Sequence, residues 1–345
     1  MVVTGMNVSD SIFDTTGNTP LLRLTKIPGD LSVEILAKLE FFNPSGSIKD
    51  RILFRMVDSA ERRGLLVPGM TIIEGTTGNT GISTAMTAAV KGYPCTIVMP
   101  EGMSIERQKT IKAYGARLIL TPGGESDVDL VIEKVTEVIE SDPDRYWKVG
   151  QFENIDNVQA HFDTTGPEVW EQTNGKVAAF VASQGTGGTI TGVGKYLKEM
   201  DHGIKVYAVE PAECPTLSKR LWGSHLIEGI GDGFIPQVFD VQLLDGVITV
   251  SSRESIEMAK RLATEEGLFC GVSSGCNVAA SIKLAERHPE LAPIVTVIPD
   301  DGRRYFSTEL CGEKSEHTIP DRVHELDRYS IDALQMYQKH WEIIE

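Results

Sequence analysis

Short runs of almost unbroken apolar residues alternate along this chain with longer segments of helical period, and that alternation constrains the fold more than any other feature. The stretches 33–40 (VEILAKLE), 70–75 (MTIIEG), 94–100 (PCTIVMP), 116–122 (ARLILTP), 176–183 (KVAAFVAS), 204–211 (IKVYAVEP) and 293–302 (PIVTVIPDDG) read as strands. Residues 50–64, 81–93, 104–115, 128–141, 189–200 and 255–267 read as helices. Strands that are apolar throughout, rather than alternating, are buried on both faces, as in a parallel sheet covered by helices. The fold class is α/β. Gly64, Gly92 and Gly115 stand just before strands, where a left-handed helix cap is wanted.

At 345 residues with 41% apolar content, the chain exceeds the usual single-domain size and should form one large or two medium domains. A formal charge of −16 argues against a nucleic acid or an anionic membrane as the main partner, since both demand a basic footprint. No apolar run approaches the roughly 20 residues that span a bilayer, and the opening MVVTGMNVSD lacks the pattern of a signal peptide, so a cytoplasmic location is expected. Cys95, Cys214, Cys270, Cys276 and Cys311 are scattered without a CxxC pair; they read as small buried hydrophobes, not as disulfides or zinc ligands. No metal-binding set is found. His161, His202 and His225 fall in no recognisable constellation and read as surface or supporting residues. The tail IDALQMYQKHWEIIE has helical spacing and reads as a terminal helix or part of a subunit interface.

Three loops carry the chemistry. In SQGTGGTITG (183–192), Gly185, Gly187 and Gly188 let backbone N–H groups approach an anion, Thr186 and Thr189 add hydroxyls, and a helix begins at once with its positive dipole end. This fits a phosphate cup, with a glycine-rich structural turn as the alternative. The dinucleotide fingerprint fails because Ile190 stands where its third glycine belongs. In EGTTGNTGIS (74–83), Thr76, Thr77, Asn79 and Thr80 gather donors at a second helix start, suited to a carboxylate. FCGVSSGCN (269–277) is small and polar; alone it reads as a helix cap at Ser273 or Ser274. A phosphate site, a carboxylate site and the lysine of FFNPSGSIKDR (41–51) are all used by one cofactor, pyridoxal 5′-phosphate, held by a lysine Schiff base and acting on an amino acid.

The segments NPSGSIKDR, EGTTGNTGIS, QFENIDNVQAHFDTTGPEVW, GTGGTITGVG, EGIGDGFIP, GVSSG and IPDDGRRYFST together resemble the cysteine synthase (O-acetylserine sulfhydrylase) and cystathionine β-synthase family of fold-type-II, tryptophan synthase β-like enzymes. The resemblance covers about residues 9 to 311 and implies two open twisted sheets with covering helices. It implies a smaller, mobile domain at 48–152, a larger one from 1–47 and 153–345 with a C-terminal helix, a homodimer, and serine acetyltransferase as a candidate partner. It further implies that Lys49 forms the Schiff base, that Asn79 meets the ring hydroxyl oxygen, and that Gly185 to Thr189 hold the phosphate. Ser273 would face the pyridine nitrogen, and Thr76, Thr77, Thr80 and Gln151 the substrate carboxylate.

The implied chemistry is β-replacement on a serine-type amino acid through an aminoacrylate, with sulfide as the leading nucleophile and cysteine as product. A serine at the ring nitrogen supplies no negative charge to keep it protonated, which favours loss of the β-substituent over a long-lived carbanion. Homocysteine in place of sulfide would give cystathionine, although the long animal-type synthase is disfavoured by the lack of its flanking extensions. Two departures bear on the choice. EGTTGNTG lacks the proline that commonly follows the glutamate, and Asp232 replaces the alanine usual in GIGDGF, a loop that with Gly229 lines the substrate's side-chain pocket in the family. A carboxylate there would repel hydrosulfide and could act on water or a thiol, favouring release of hydrogen sulfide from cysteine; a solvent-facing Asp232 or one paired with a basic substrate group are the alternatives. Arg107, Arg220, Arg303 and Arg304 are candidates to meet an anionic substituent, and Asp50 and Arg51 read as a local cap and ion pair.

Overall fold

The computed structural model describes residues 8–125, 127–312 and 325–345; residues 1–7, which carry most of the reading of the N-terminus, lie outside them. Among the described residues eleven strands form two sheets: β1 (Leu21–Arg23), β2 (Ile35–Leu39), β3 (Thr71–Gly75), β4 (Cys95–Pro100), β5 (Arg117–Thr121), β6 (Tyr146–Lys148), β7 (Ala179–Ser183), β8 (Lys205–Pro211), β9 (Gly246–Val250), β10 (Ile294–Ile298) and β11 (Glu342–Ile344). One sheet has the order β1-β2-β10-β7-β8-β9-β11 and the other β5-β4-β3-β6. The ladders are parallel throughout except for β1 against β2. Each sheet is covered by helices, in agreement with the α/β expectation.

The pleat explains why the strands read as continuously apolar. Along β10, Ile294 and Ile298 enter one core while Val295 and Val297 enter the other, and along β7 Ala179 and Val181 alternate in the same way with Phe180 and Ala182. Both faces lose water, so both need apolar side chains. The four-stranded sheet has its own core, in which Ile52, Leu53, Met56, Val57 and Ala60 of the helix Lys49–Arg62 pack against Ile72, Ile82, Ala85 and Ile97. The helix that begins at Lys49 is therefore seated on the smaller sheet.

The anticipated helix-ending glycines Gly64, Gly92 and Gly115 have φ of 68°, 79° and 85°. The tail differs from a simple terminal helix. After the helix Arg328–Tyr337 it continues into β11, which pairs parallel with β9 and adds a strand to the edge of the larger sheet, with Leu334 and Trp341 buried. Of the cysteines, Cys95, Cys214, Cys270 and Cys276 are buried as expected, whereas Cys311 is exposed. The segment around Ser273 is also not a loop: Gly271 is the N-cap and the helix runs Val272–Arg287, placing Ser273 in its first turn.

Candidate active site

A cavity opens at the carboxyl ends of β3 and β7, the place where open α/β sheets bind ligands. Lys49, Thr76, Thr77, Asn79, Thr80 and Gln151 line it from the smaller sheet's side, and Gly185, Thr186, Gly187, Thr189, Gly229, Asp232 and Ser273 from the other. Of the residues anticipated to hold the cofactor or the substrate carboxylate, Gly188 alone is not on the cavity wall. It opens the helix Gly188–Met200 and lies against Asn157, where an added Cβ would collide with the amide.

Lys49 stands at the first position of its helix, and the turn before it is fastened on both sides. Asp50, which is buried, accepts hydrogen bonds from Ser45 N at 2.6 Å and from the hydroxyls of Ser45 and Ser83 at 2.5 Å each. Arg304 donates to the carbonyls of Gly46 and Ser45. The expected pairing of Asp50 with Arg51 does not occur. Arg51 instead reaches Glu40 at 2.6 Å and Glu168 at 2.7 Å, a buried ion cluster that fixes the helix start to the larger sheet. Burial lowers the pKa of the Lys49 amine, opposed by the charges of Asp232 and Asp300, so more of it is neutral than in water.

In the glycine loop, Gly187 has φ of 79° and caps the following helix, a conformation that L side chains avoid. The first turn of that helix, where Gly188 N donates to Thr186 Oγ1 at 3.3 Å, together with the hydroxyls of Thr186 and Thr189, offers donors suited to an anion. Asn157 supports it by donating to Thr186 Oγ1 at 3.0 Å and to the Gln151 carbonyl at 2.8 Å. His161 stands behind it, with Nε2 3.1 Å from Thr189 Oγ1 and Nδ1 2.9 Å from Thr165 Oγ1. Burial and the charge of Arg51 push the His161 pKa down to about 3, so the ring is neutral. His225, also buried, bonds the Gly231 carbonyl at 3.0 Å and shapes the loop that bears Asp232; His202 is exposed. Two of the three histidines thus support residues of the site from behind, as the supporting reading allowed, through contacts that no local spacing reveals.

The threonine loop is tied mostly to acceptors. Thr80 donates to Gln151 Oε1 at 2.6 Å, Thr77 to Glu125 Oε1 at 2.9 Å, and Asn79 Nδ2 to Asp300 Oδ2 at 2.6 Å. Glu74, at the end of β3, accepts from Gly150 N at 2.9 Å and Gln151 N at 3.3 Å, setting the height of Gln151. Asp232 faces the cavity rather than open solvent; burial raises its pKa to about 6 and the charge of Lys49 opposes the rise. None of the four arginines considered lines this cavity. Arg107 is buried, pairs with Glu228 and lies 4.4 Å over the Tyr305 ring; Arg220 bonds Gln338, Arg303 pairs with Asp301, and Arg304 holds the turn before Lys49.

The residues fit pyridoxal 5′-phosphate. The cavity combines a glycine-capped helix N-terminus suited to a phosphate, an amine with lowered pKa and a buried Asn79 Oδ1 that has no partner among the described residues. The family model for "Pyridoxal-phosphate dependent enzyme" matches residues 12–300. Cysteine synthase A of Escherichia coli (strain K12) is 46% identical over 305 residues, covering 86% of this chain and 93% of that protein. Among solved structures, a hydrogen sulfide-producing enzyme from Fusobacterium nucleatum superposes with a TM-score of 0.83 at 39% identity, over 86% of this chain and 100% of that one. A cysteine synthase from Entamoeba histolytica does so with a TM-score of 0.84 at 38% identity, over 99% of each chain. A buried lysine sharing a cavity with the glycine loop and the threonine loop, and these likenesses, lead to the same place: the chain belongs to the pyridoxal-phosphate dependent enzymes, in the group related to cysteine synthase, with pyridoxal 5′-phosphate as its cofactor.

Proposed function

We propose that the chain makes cysteine by replacing the β-substituent of an activated serine with sulfide: O-acetylserine and hydrogen sulfide give cysteine and acetate. The observation that carries this reading is the position of Lys49 in one cavity with both the glycine loop and the threonine loop. When bound, the cofactor supplies an electron sink that lets one β-substituent leave and another add. Gly185, Thr186, Gly187, Gly188 and Thr189 hold its phosphate, Asn79 its ring hydroxyl, Ser273 its ring nitrogen, and Lys49 anchors its aldehyde. Thr76, Thr77, Thr80 and Gln151 receive the substrate carboxylate and so fix the Cα–H bond relative to Lys49. Lys49, released as a neutral amine in a site that lowers its pKa and at a helix N-terminus, takes the Cα proton and returns it to the product.

A second reading is favoured by Asp232: release of hydrogen sulfide from cysteine, with water adding to give serine. A carboxylate with a pKa near 6 is ionised at neutral pH, repels hydrosulfide and can take a proton from water. Product analysis with O-acetylserine, O-phosphoserine, serine and cysteine, each with and without sulfide, separates the two. Cysteine from O-acetylserine and sulfide supports the first; serine and sulfide from cysteine alone, with no cysteine formed from O-acetylserine, replaces it by the second.

The same reading makes residues 48–152 the smaller, mobile domain, supported by the separate core of the four-stranded sheet. It also includes a homodimer, as is usual in the resembling family, a cytoplasmic location and a complex with serine acetyltransferase. No described helix is long and apolar enough to cross a membrane.

A further inference from the structure

Glu125 belongs to the stretch between β5 and the helix Val128–Ser141, and it is 6% exposed. One of its oxygens, Oε1, accepts the Thr77 hydroxyl at 2.9 Å and the Gly229 amide at 2.7 Å. Thr77 and Gly229 both line the cavity, one from the threonine loop and the other from the loop that bears Asp232. Each has one proton to donate, so each is spent on the protein's own carboxyl and is withheld from a ligand. The other oxygen, Oε2, is buried without a partner among the described residues. A carboxyl group that takes two cavity donors and leaves half of itself unsatisfied is an expensive arrangement unless something exchanges with it.

We propose that Glu125 is a built-in competitor for the substrate carboxylate: it bridges Thr77 and Gly229 across the cleft and releases Thr77 to an incoming carboxylate, which makes it a specificity-determining residue of this site. The proposal rests on the reading of the threonine loop as the carboxylate site. It selects for ligands that bring a carboxylate, since an amine or alcohol lacking one has nothing to take the Thr77 hydroxyl from Glu125.

The groups around Glu125 set the pH range in which the exchange works. Glu228 and Asp232 face it from the 228–233 loop, Arg107 from the helix Ile105–Ala113, and Asp127 follows on its own segment, where it accepts from Gly124 N. Arg107 is engaged by Glu228. Burial, with the charges of Glu228 and Asp232, pushes the Glu125 pKa up to about 8. Oε1 already accepts two hydrogen bonds, which leaves Oε2 as the site of the proton. Below pH 8 an arriving carboxylate meets a neutral group; above it the carboxylate meets a second anion.

Acetate is a suitable probe because it carries a carboxylate and no amine that titrates between pH 7 and 9. Its dissociation constant from the holoenzyme, measured by calorimetry, should rise about tenfold from pH 7 to pH 9 as Glu125 ionises. Glu125→Gln should abolish this rise and bind acetate at pH 9 about tenfold more tightly than the native protein. A native affinity that does not change over this range, or a Glu125→Gln variant that keeps the native slope, overturns the proposal while leaving the threonine loop in place. Acetate binding that survives Thr77→Ala undiminished contradicts the carboxylate reading of the loop, and the proposal with it.

Discussion

The glycine loop and the threonine loop beside Lys49 are built by opposite means. The glycine loop at 185–189 is closed by backbone: Gly187 takes a conformation other residues avoid, Gly188 leaves no room beside Asn157, and the neutral His161 stands behind Thr189. The threonine loop at 76–80 is made of side chains, and its donors already have acceptors in Gln151, Glu125 and Asp300. A loop fixed by backbone with no acidic competitor suits a ligand that stays, as a cofactor phosphate does. A loop whose hydroxyls must be taken from internal acceptors suits a ligand that comes and goes. The cost of ordering is met in folding for the first loop and at each binding event for the second.

Substitutions should break this contrast in order of size. Gly188→Val forces the helix start away from Asn157 and should weaken cofactor affinity by about a thousandfold, roughly 4 kcal/mol, in equilibrium dialysis, with the fold retained by circular dichroism. Asp232→Asn should lower sulfide release from cysteine by about a hundredfold, the scale of a lost general base. It should also remove the rise in that rate as pH passes through about 6, where native Asp232 ionises. Thr77→Ala should raise the amino-acid KM about tenfold and leave cofactor affinity unchanged, reversing the pattern of Gly188→Val.

The smallest effect concerns the support behind the glycine loop. His161 has a pKa of about 3 in the folded protein and about 6.5 in an unfolded chain. Below 6.5 the unfolded state binds the additional proton, so stability falls as pH drops from 6.5 toward 3. In urea denaturation between pH 6.5 and 5.5, the native protein should lose about 1 kcal/mol more than His161→Gln. Equal losses would mean that His161 is charged in the folded state.

What was legible in the sequence is what local pattern encodes. Continuous apolar strands, the glycines at helix ends and the polar loops at 76–80 and 185–189 all appear in the fold, because each arises from backbone preference or burial over a few residues, whereas the segment around Ser273 lies in the first turn of a helix. The short β1 and β6, with three residues each, carry too little pattern to be recognised, and β11 was hidden in a tail whose spacing is helical up to Tyr337. The partners of the site residues were not legible. Arg51 neighbours Asp50 in sequence but meets Glu40 and Glu168, and Thr77 meets Glu125 across a separation of 48 residues. Such pairs are decided by which distant segments the fold brings together, within one sheet for Thr77 and Glu125 and between the two for Arg51, which no single segment records.

The central claim is that Lys49 is the residue beside these loops that binds the cofactor covalently. Borohydride reduction of the yellow holoenzyme, followed by peptide mass analysis, tests it most directly. The account predicts a reduced pyridoxyl group on the peptide containing Lys49 and its disappearance in Lys49→Ala, with phosphate-dependent cofactor binding retained. A label on another lysine, or a visible absorption band that survives Lys49→Ala unchanged, would contradict it.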